Sequence, residues 1–249
     1  MPAPFLRLLL ATVAMLVAGQ ATATEIRVAV ASNFTRAIGV AADVFEVDTG
    51  HKVKLAFGST GKHYAQIRNG APFDAFFAAD VVRPKLLEQE GLAVPGSRFT
   101  YAIGKLILWS PEASLVDAEG GVLEHGEFRH LAIANPKLAP YGLAAREVLQ
   151  KRGLWDDMSK RLVRGENIGQ AFQFVASGNA ELGFVARSQL MRPGYETEGS
   201  YWDVPSELYT PIEQQAVLLK DSDAARAFMS FVRSEEAIRI IRDHGYETP

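Results

Sequence analysis

Four short stretches gather the residues able to do chemistry: Ala31-Ser32-Asn33-Phe34, Gly58-Ser59-Thr60-Gly61, Asn135 through Ala139-Pro140-Tyr141-Gly142, and Glu166-Asn167-Ile168-Gly169. Each follows a strand-like run and precedes a helix-like one, and each offers hydroxyls, an amide or bare backbone N–H groups. A helix N-terminus leaves its first N–H groups unpaired and carries a partial positive charge, which suits an anion. Four such termini facing one cleft would hold a small tetrahedral oxyanion through neutral donors. A buried dianion is tolerated only when its oxygens are hydrogen-bonded, and hydrogen bonds to an ionised acceptor are the strong kind. Donors alone also discriminate, because a protonated oxyanion brings an O–H that needs an acceptor.

Other chemistries can be tested by spacing. A nucleotide phosphate loop needs Gly, four residues, Gly-Lys, then Ser or Thr. Aligned on Gly61-Lys62, the first glycine position holds Ala56 and the magnesium-binding hydroxyl position holds His63. A nucleophile elbow needs Gly-x-Ser-x-Gly, and Gly58-Ser59-Thr60-Gly61 is one residue short. A hydrolase built on Ser59 would need a base from His51, His63, His125, His130 or His244. None has elbow spacing, and all five read as surface residues. No His-x-x-x-His pair and no adjacent tyrosine pair suggests a metal site. Taken singly, the selected residues also fit ordinary roles: Ser32, Asn33, Ser59 and Thr60 as helix caps, Tyr141 and Ile168 as core. Lys62, in a first helical turn, opposes the dipole there, which a nearby anion would relieve.

The elements that must position these turns alternate. Ile26–Ala31 reads as a strand, 34–47 as a helix with Phe34, Ile38, Ala41 and Phe45 on one face, and Lys52–Phe57 as a strand. A helix over 61–69, a buried strand over 75–79 and a helix over 84–90 complete a βαβαβα unit, the pattern of a parallel sheet covered on both faces. Tyr101–Trp109 reads as one long strand and 111–126 as loop. A second α/β unit follows: strand 131–134, helix 142–152, strand 162–163, helix 168–177, strand 182–185. Gln215–Leu219 then reads as a strand and 222–243 as two helices. The fold class expected is α/β with two lobes and a cleft between them, the ligand lying outside the carboxyl ends of the strands. Lobe 1 is placed at 24–102 plus 216–249 and lobe 2 at 103–215.

Residues 1–23 stand apart. Arg7, the apolar run Leu8–Val17 and Ala21-Thr22-Ala23 read as a secretory signal with an A-x-A cleavage site. The whole chain has 249 residues, net charge −3 and no cysteine. Removing the signal takes away only Arg7, so the mature protein is slightly more acidic. It has no basic tract, which argues against nucleic acid. The general field does not favour an anion, so local dipoles must. Without cysteines the fold rests on its core alone, and thiolate metal sites and cysteine nucleophiles are excluded.

At the four turns the chain resembles the periplasmic molybdate-binding proteins of ABC importers. The stretches that carry the resemblance are "VAVASNF", "FGSTGKHYAQIRNGAPFDAFFAAD", "GSRFTYAIGKLILWS", "IANPKLAPYG" and "GLW" with "ENIGQAF" after it. The resemblance implies a two-lobed Venus-flytrap fold of type II-like build and a periplasmic location. It implies a monomer with no cofactor and no catalysis, which delivers molybdate, and tungstate with it, to an inner-membrane permease. The contacts it implies fall on Ser32, Asn33, Thr60 with Ser59 beside it, Tyr141 and the backbone N–H of Ile168. Many relatives have Ser at position 60. Thr keeps the hydroxyl and adds a methyl that narrows the pocket. Sulfate, phosphate or ferric ion as ligand, or a secreted serine hydrolase, are the alternatives.

Overall fold

β1 (Glu25–Ala31) carries Val28, Ala29 and Val30 in succession, all buried, as a strand covered on both faces must. The computed structural model describes residues 23–191, 193–194 and 198–249. The signal expected over 1–23 lies outside the described residues except for Ala23. After a short 3-10 turn at Ser32–Phe34, α1 (Thr35–Thr49) buries Ile38, Ala41 and Phe45. β2 (Lys52–Gly58), α2 (Thr60–Arg68), β3 (Ala75–Phe77), α3 (Val82–Gln89) and β4 (Phe99–Gly104) follow.

The chain then leaves this sheet. β5 (Leu106–Ser110), α4 (Val122–His125), β6 (Leu131–Ala134), α5 (Pro140–Lys151), α6 (Trp155–Met158), β7 (Leu162–Gly165), α7 (Ile168–Ala176), β8 (Leu182–Ala186), α8 (Arg187–Leu190) and β9 (Ser200–Asp203) build the second lobe. β10 (Ile212–Leu218), α9 (Asp223–Phe231) and α10 (Glu235–Asp243) return to the first. The sheet orders are β2-β1-β3-β10-β4 and β7-β6-β8-β5-β9. In the first, β1 is parallel to β2 and β3, while β10 is antiparallel to β3 and β4. In the second, β6 is parallel to β7 and β8, while β5 is antiparallel to β8 and β9. Helices cover both faces of each sheet, with apolar clusters around Phe34, Phe45, Phe77 and Phe228 in one lobe and Leu108, Ile133, Leu149 and Phe184 in the other.

The single strand expected over Tyr101–Trp109 is two strands in two sheets, with Lys105 as the crossing. Both halves are buried, so the apolar run continues unbroken through the change of sheet and hides it. The first sheet reaches Gly104 at one crossing and starts at Ile212 at the other. The 111–126 stretch is not bare loop: the Asp117 carboxylate accepts from the N–H groups of Glu119, Gly121 and Val122 and seats α4. Those bonds, Gly121 first, hold its pKa below the ordinary value. α4, α6, α8 and β9 are four residues each, too short for a period to show.

At the crossing, the bare Cα of Gly104 lies under two side chains. A Cβ there would overlap the Tyr141 hydroxyl and stand 2.6 Å from Gln214 Nε2. Gly104→Ala should therefore cost about 1–3 kcal/mol by overpacking, a loss of roughly 3–10 °C in melting temperature. Gly39→Ala, inside α1 with nothing within 4 Å of the new methyl, should raise it by a few degrees. Equal effects of the two in a thermal melt would refute the steric reading of the crossing.

Candidate functional site

The four turns meet. Ser32 opens the turn after β1. Thr60 begins α2, with Ser59 as its N-cap. Tyr141 is the second residue of α5, behind Pro140 at the first position, where a missing N–H costs nothing. Ile168 begins α7, capped by Asn167, whose side chain accepts from Gln170 N–H at 3.0 Å. Ser32, Asn33, Ser59, Thr60, Tyr141 and Ile168 all line one small pocket between the lobes. No carboxylate, lysine, arginine or histidine lines it.

The polarity of its hydroxyls follows from their partners. Ser32 Oγ accepts from Gly169 N–H (3.1 Å), Ser59 Oγ from Lys62 N–H (3.3 Å), Thr60 Oγ1 from Ala79 N–H (3.0 Å) and the Tyr141 oxygen from Gln214 Nε2 (3.2 Å). Among the described residues none of the four donates to a protein acceptor. Each hydroxyl has one proton, and each is left with it to give. The backbone N–H groups of Thr60 and Ile168 likewise find no acceptor among the described residues. Burial pushes the Tyr141 hydroxyl well above its ordinary pKa, with the neighbouring Tyr246 and Tyr101 adding to it, so it stays a donor.

Asn33 is placed differently from its neighbours. Its side-chain nitrogen donates to Gln214 Oε1 (2.7 Å) and to the Tyr246 hydroxyl (2.9 Å), and its carbonyl accepts from Tyr246 and Ser188. The amide is turned into the hinge, leaving the backbone N–H as what this residue can offer the cavity. Tyr101, Gln214 and Tyr246, which complete that buried network, carry no local signal: they lie on β4, β10 and the C-terminal tail.

The lobes are closed on each other. Gly61 N–H donates to Leu138 O (2.8 Å), Gly169 N–H to Ser32 Oγ, and Arg83 Nη2 to Lys137 O (3.3 Å). Lys62 is not a lone cation at a helix start: its Nζ pairs with Glu166 across the cleft at 3.1 Å. The pair is half-exposed and worth at most about 1 kcal/mol.

Two of the five histidines are buried, against the surface reading. His244 Nδ1 sits 2.7 Å from Ile240 O. His63 is 3% exposed, with Nδ1 3.0 Å from Gln66 Oε1, its ring edge-on to Phe73, and Nε2 without a partner. Among the described residues no histidine hydrogen-bonds Ser59, and no group of three or more His, Asp or Glu could hold a metal ion. No helix there is long and apolar enough to cross a membrane.

The sequence matches the family described as bacterial extracellular solute-binding protein over residues 26–247. It is 53% identical to the molybdate-binding protein ModA of Azotobacter vinelandii, with 96% of each chain covered. It is 50% identical to the ModA of Rhodobacter capsulatus, over 92% of this chain and 90% of that one. The fold matches the solved periplasmic molybdate-binding protein of Azotobacter vinelandii with a TM-score of 0.88 and 45% identity, covering 90% of this chain and 99% of that one.

His63 makes stability depend on pH. Burial lowers its pKa from the ordinary 6.5, so the unfolded chain takes up the proton first. The stability that neutral His63 contributes is complete above 6.5 and lost as pH falls through that value toward the lowered one. The melting temperature should fall more steeply as pH is lowered below about 6.5 in the natural protein than in His63→Gln. Parallel slopes for the two would show that His63 does not resist protonation.

Proposed function

The chain belongs to the bacterial extracellular solute-binding protein family, and from that premise we propose that it captures molybdate in the periplasm and delivers it to an ABC importer. The observation that carries this reading is the single polarity of the cavity: four hydroxyls whose oxygens already accept, and two N–H groups with no acceptor, all left as donors. A fully deprotonated tetrahedral dianion complements such a set. Hydrogen phosphate complements it less well, because its O–H must be met by an oxygen that already accepts from the protein. Sulfate has shorter bonds to oxygen and would leave donors stretched, so its exclusion rests on cavity size. Tungstate, of nearly the same size as molybdate, would bind as well.

In this reading the ligand contacts are the hydroxyls of Ser32, Thr60 and Tyr141, with Ser59 beside them, and the N–H groups of Asn33, Thr60 and Ile168. The lobes move as two bodies about the crossings at Lys105 and just before Ile212, and the anion shifts the population toward the closed form by bridging them. The closed protein, a monomer without cofactor, docks on a membrane permease. In this reading it catalyses nothing: among the described residues no histidine hydrogen-bonds Ser59, whose oxygen accepts from Lys62 N–H.

Titration of the mature protein should show saturable molybdate binding in tryptophan fluorescence, a rise in melting temperature of about 5–10 °C at a hundredfold excess over Kd, and no response to sulfate or phosphate. Sulfate binding as tight as molybdate would leave the family and remove the specificity. The Ile168 contact can be tested by a substitution that removes its N–H. Position 168 is the first of α7 and Asn167 before it is extended (φ −140°, ψ 173°), so proline is compatible with both. Ile168→Pro should weaken molybdate binding by roughly 10–100-fold and Ile168→Val by little. Equal affinities for the two would remove this N–H from the site.

A further inference from the structure

Gln214 is fully buried, although it lies on the strand that returns from the second lobe to the first. The pairing of β10 with β4 shifts register between Gln214 and Gln215. A bulge of this kind re-aims side chains, and here neighbouring glutamines go to different places. Gln215 reaches Thr100 and Arg98 in the first lobe. Gln214 points into the gap between the lobes, over the bare Cα of Gly104, where a methyl would strike both its Nε2 and the Tyr141 hydroxyl.

Its partners set which way its amide faces. Asn33 Nδ2 has two acceptors, the Tyr246 oxygen at 2.9 Å and Gln214 Oε1 at 2.7 Å. The Tyr246 proton is directed to Asn33 O at 2.8 Å, so the Tyr246 oxygen can accept. The Tyr101 hydroxyl, 3.0 Å from Gln214 Oε1, has one proton to share between that oxygen and Ala78 O at 3.1 Å, so Asn33 Nδ2 is the donor that fixes the oxygen end. With the oxygen end facing Asn33, the nitrogen end faces Tyr141 and donates to its oxygen at 3.2 Å. A hydroxyl that accepts from an amide has no use for its proton in that direction. The Tyr141 proton is therefore left for the cavity.

Resting on the molybdate-binding reading, we propose that Gln214 is the positioning residue that makes the Tyr141 hydroxyl an obligate donor to the anion. It also ties that donor to closure: Asn33 and Tyr101 belong to the first lobe and Tyr141 to the second, so the amide is held from one side and used on the other. A glutamate here would reverse the effect, its carboxylate taking the Tyr141 proton away from the ligand. Methionine would remove the amide while keeping length and bulk.

The test is a set of molybdate titrations on the natural protein, Gln214→Met, Gln214→Glu, Tyr141→Phe and the double variant Gln214→Met/Tyr141→Phe. Gln214→Met should weaken binding about 10-fold and Tyr141→Phe about 10–100-fold, as for hydrogen bonds to a charged group. The double variant should bind within about twofold of Tyr141→Phe, because Gln214 acts through the hydroxyl that is gone. Gln214→Glu should bind worse than Gln214→Met. Losses that multiply in the double variant would mean that Gln214 serves the hinge alone, and natural affinity in Gln214→Glu would mean that its amide faces the other way; either overturns the inference. Failure of the natural protein itself to bind molybdate would instead remove the functional reading on which it rests.

Discussion

In the site proposed here a doubly charged anion is buried without a single cation against it. That constraint governs the rest of the structure. With no lysine or arginine lining the cavity, each ligand oxygen has to be met by a neutral donor already in place, since donors that reorganise on binding would spend the energy that replaces hydration. Helix N-termini after parallel strands supply such donors at fixed positions, and an α/β lobe has them at one edge. Two lobes closing edge to edge bring four together.

The hydroxyls solve a problem that backbone groups do not have. A hydroxyl rotates, and a rotor that also accepts from a ligand gives no selectivity. Ser32, Ser59, Thr60 and Tyr141 each have the oxygen engaged by an N–H from the surrounding protein. Ser32 is engaged from the opposite lobe, so its orientation is complete only when the lobes meet. The same closure forms the Gly61 to Leu138 bond and the Lys62–Glu166 pair. The ion pair gives Lys62 a partner on the opposite lobe, so its cation at a helix start is met by a carboxylate of the protein itself.

The sequence made the four turns legible because each is a local pattern: an apolar run, small or hydroxyl residues, then a helical period. It also showed the two α/β units. What stayed hidden is non-local. Asn33 and Tyr246 are separated by 213 positions and Lys62 and Glu166 by 104, and no spacing relates them. The direction of the Asn33 amide depends on those distant partners, so its residue type suggested a cavity donor while its contacts turned it into the hinge. His63 read as a surface residue because the three-residue step from Thr60 to His63 looks like any exposed helical turn. It is buried because Phe73 and Phe76 pack against it. The change of sheet at Lys105 was invisible for the opposite reason, since both sides of it are equally apolar.

A cage of neutral donors also separates local from global electrostatics. The chain is net negative, and its far field opposes an anion at distances that salt screens within about 10 Å. Inside the closed cleft that field matters little against oriented dipoles at hydrogen-bond range in a medium of low effective dielectric. No group of the cage titrates to supply or withdraw charge near neutral pH: the buried tyrosines are pushed up, not down, and serine and threonine do not ionise. In the proposed site, discrimination against a protonated oxyanion is therefore made by the protein's hydrogen atoms and not by its net charge, while that against sulfate, equally deprotonated, is left to the size of the cavity.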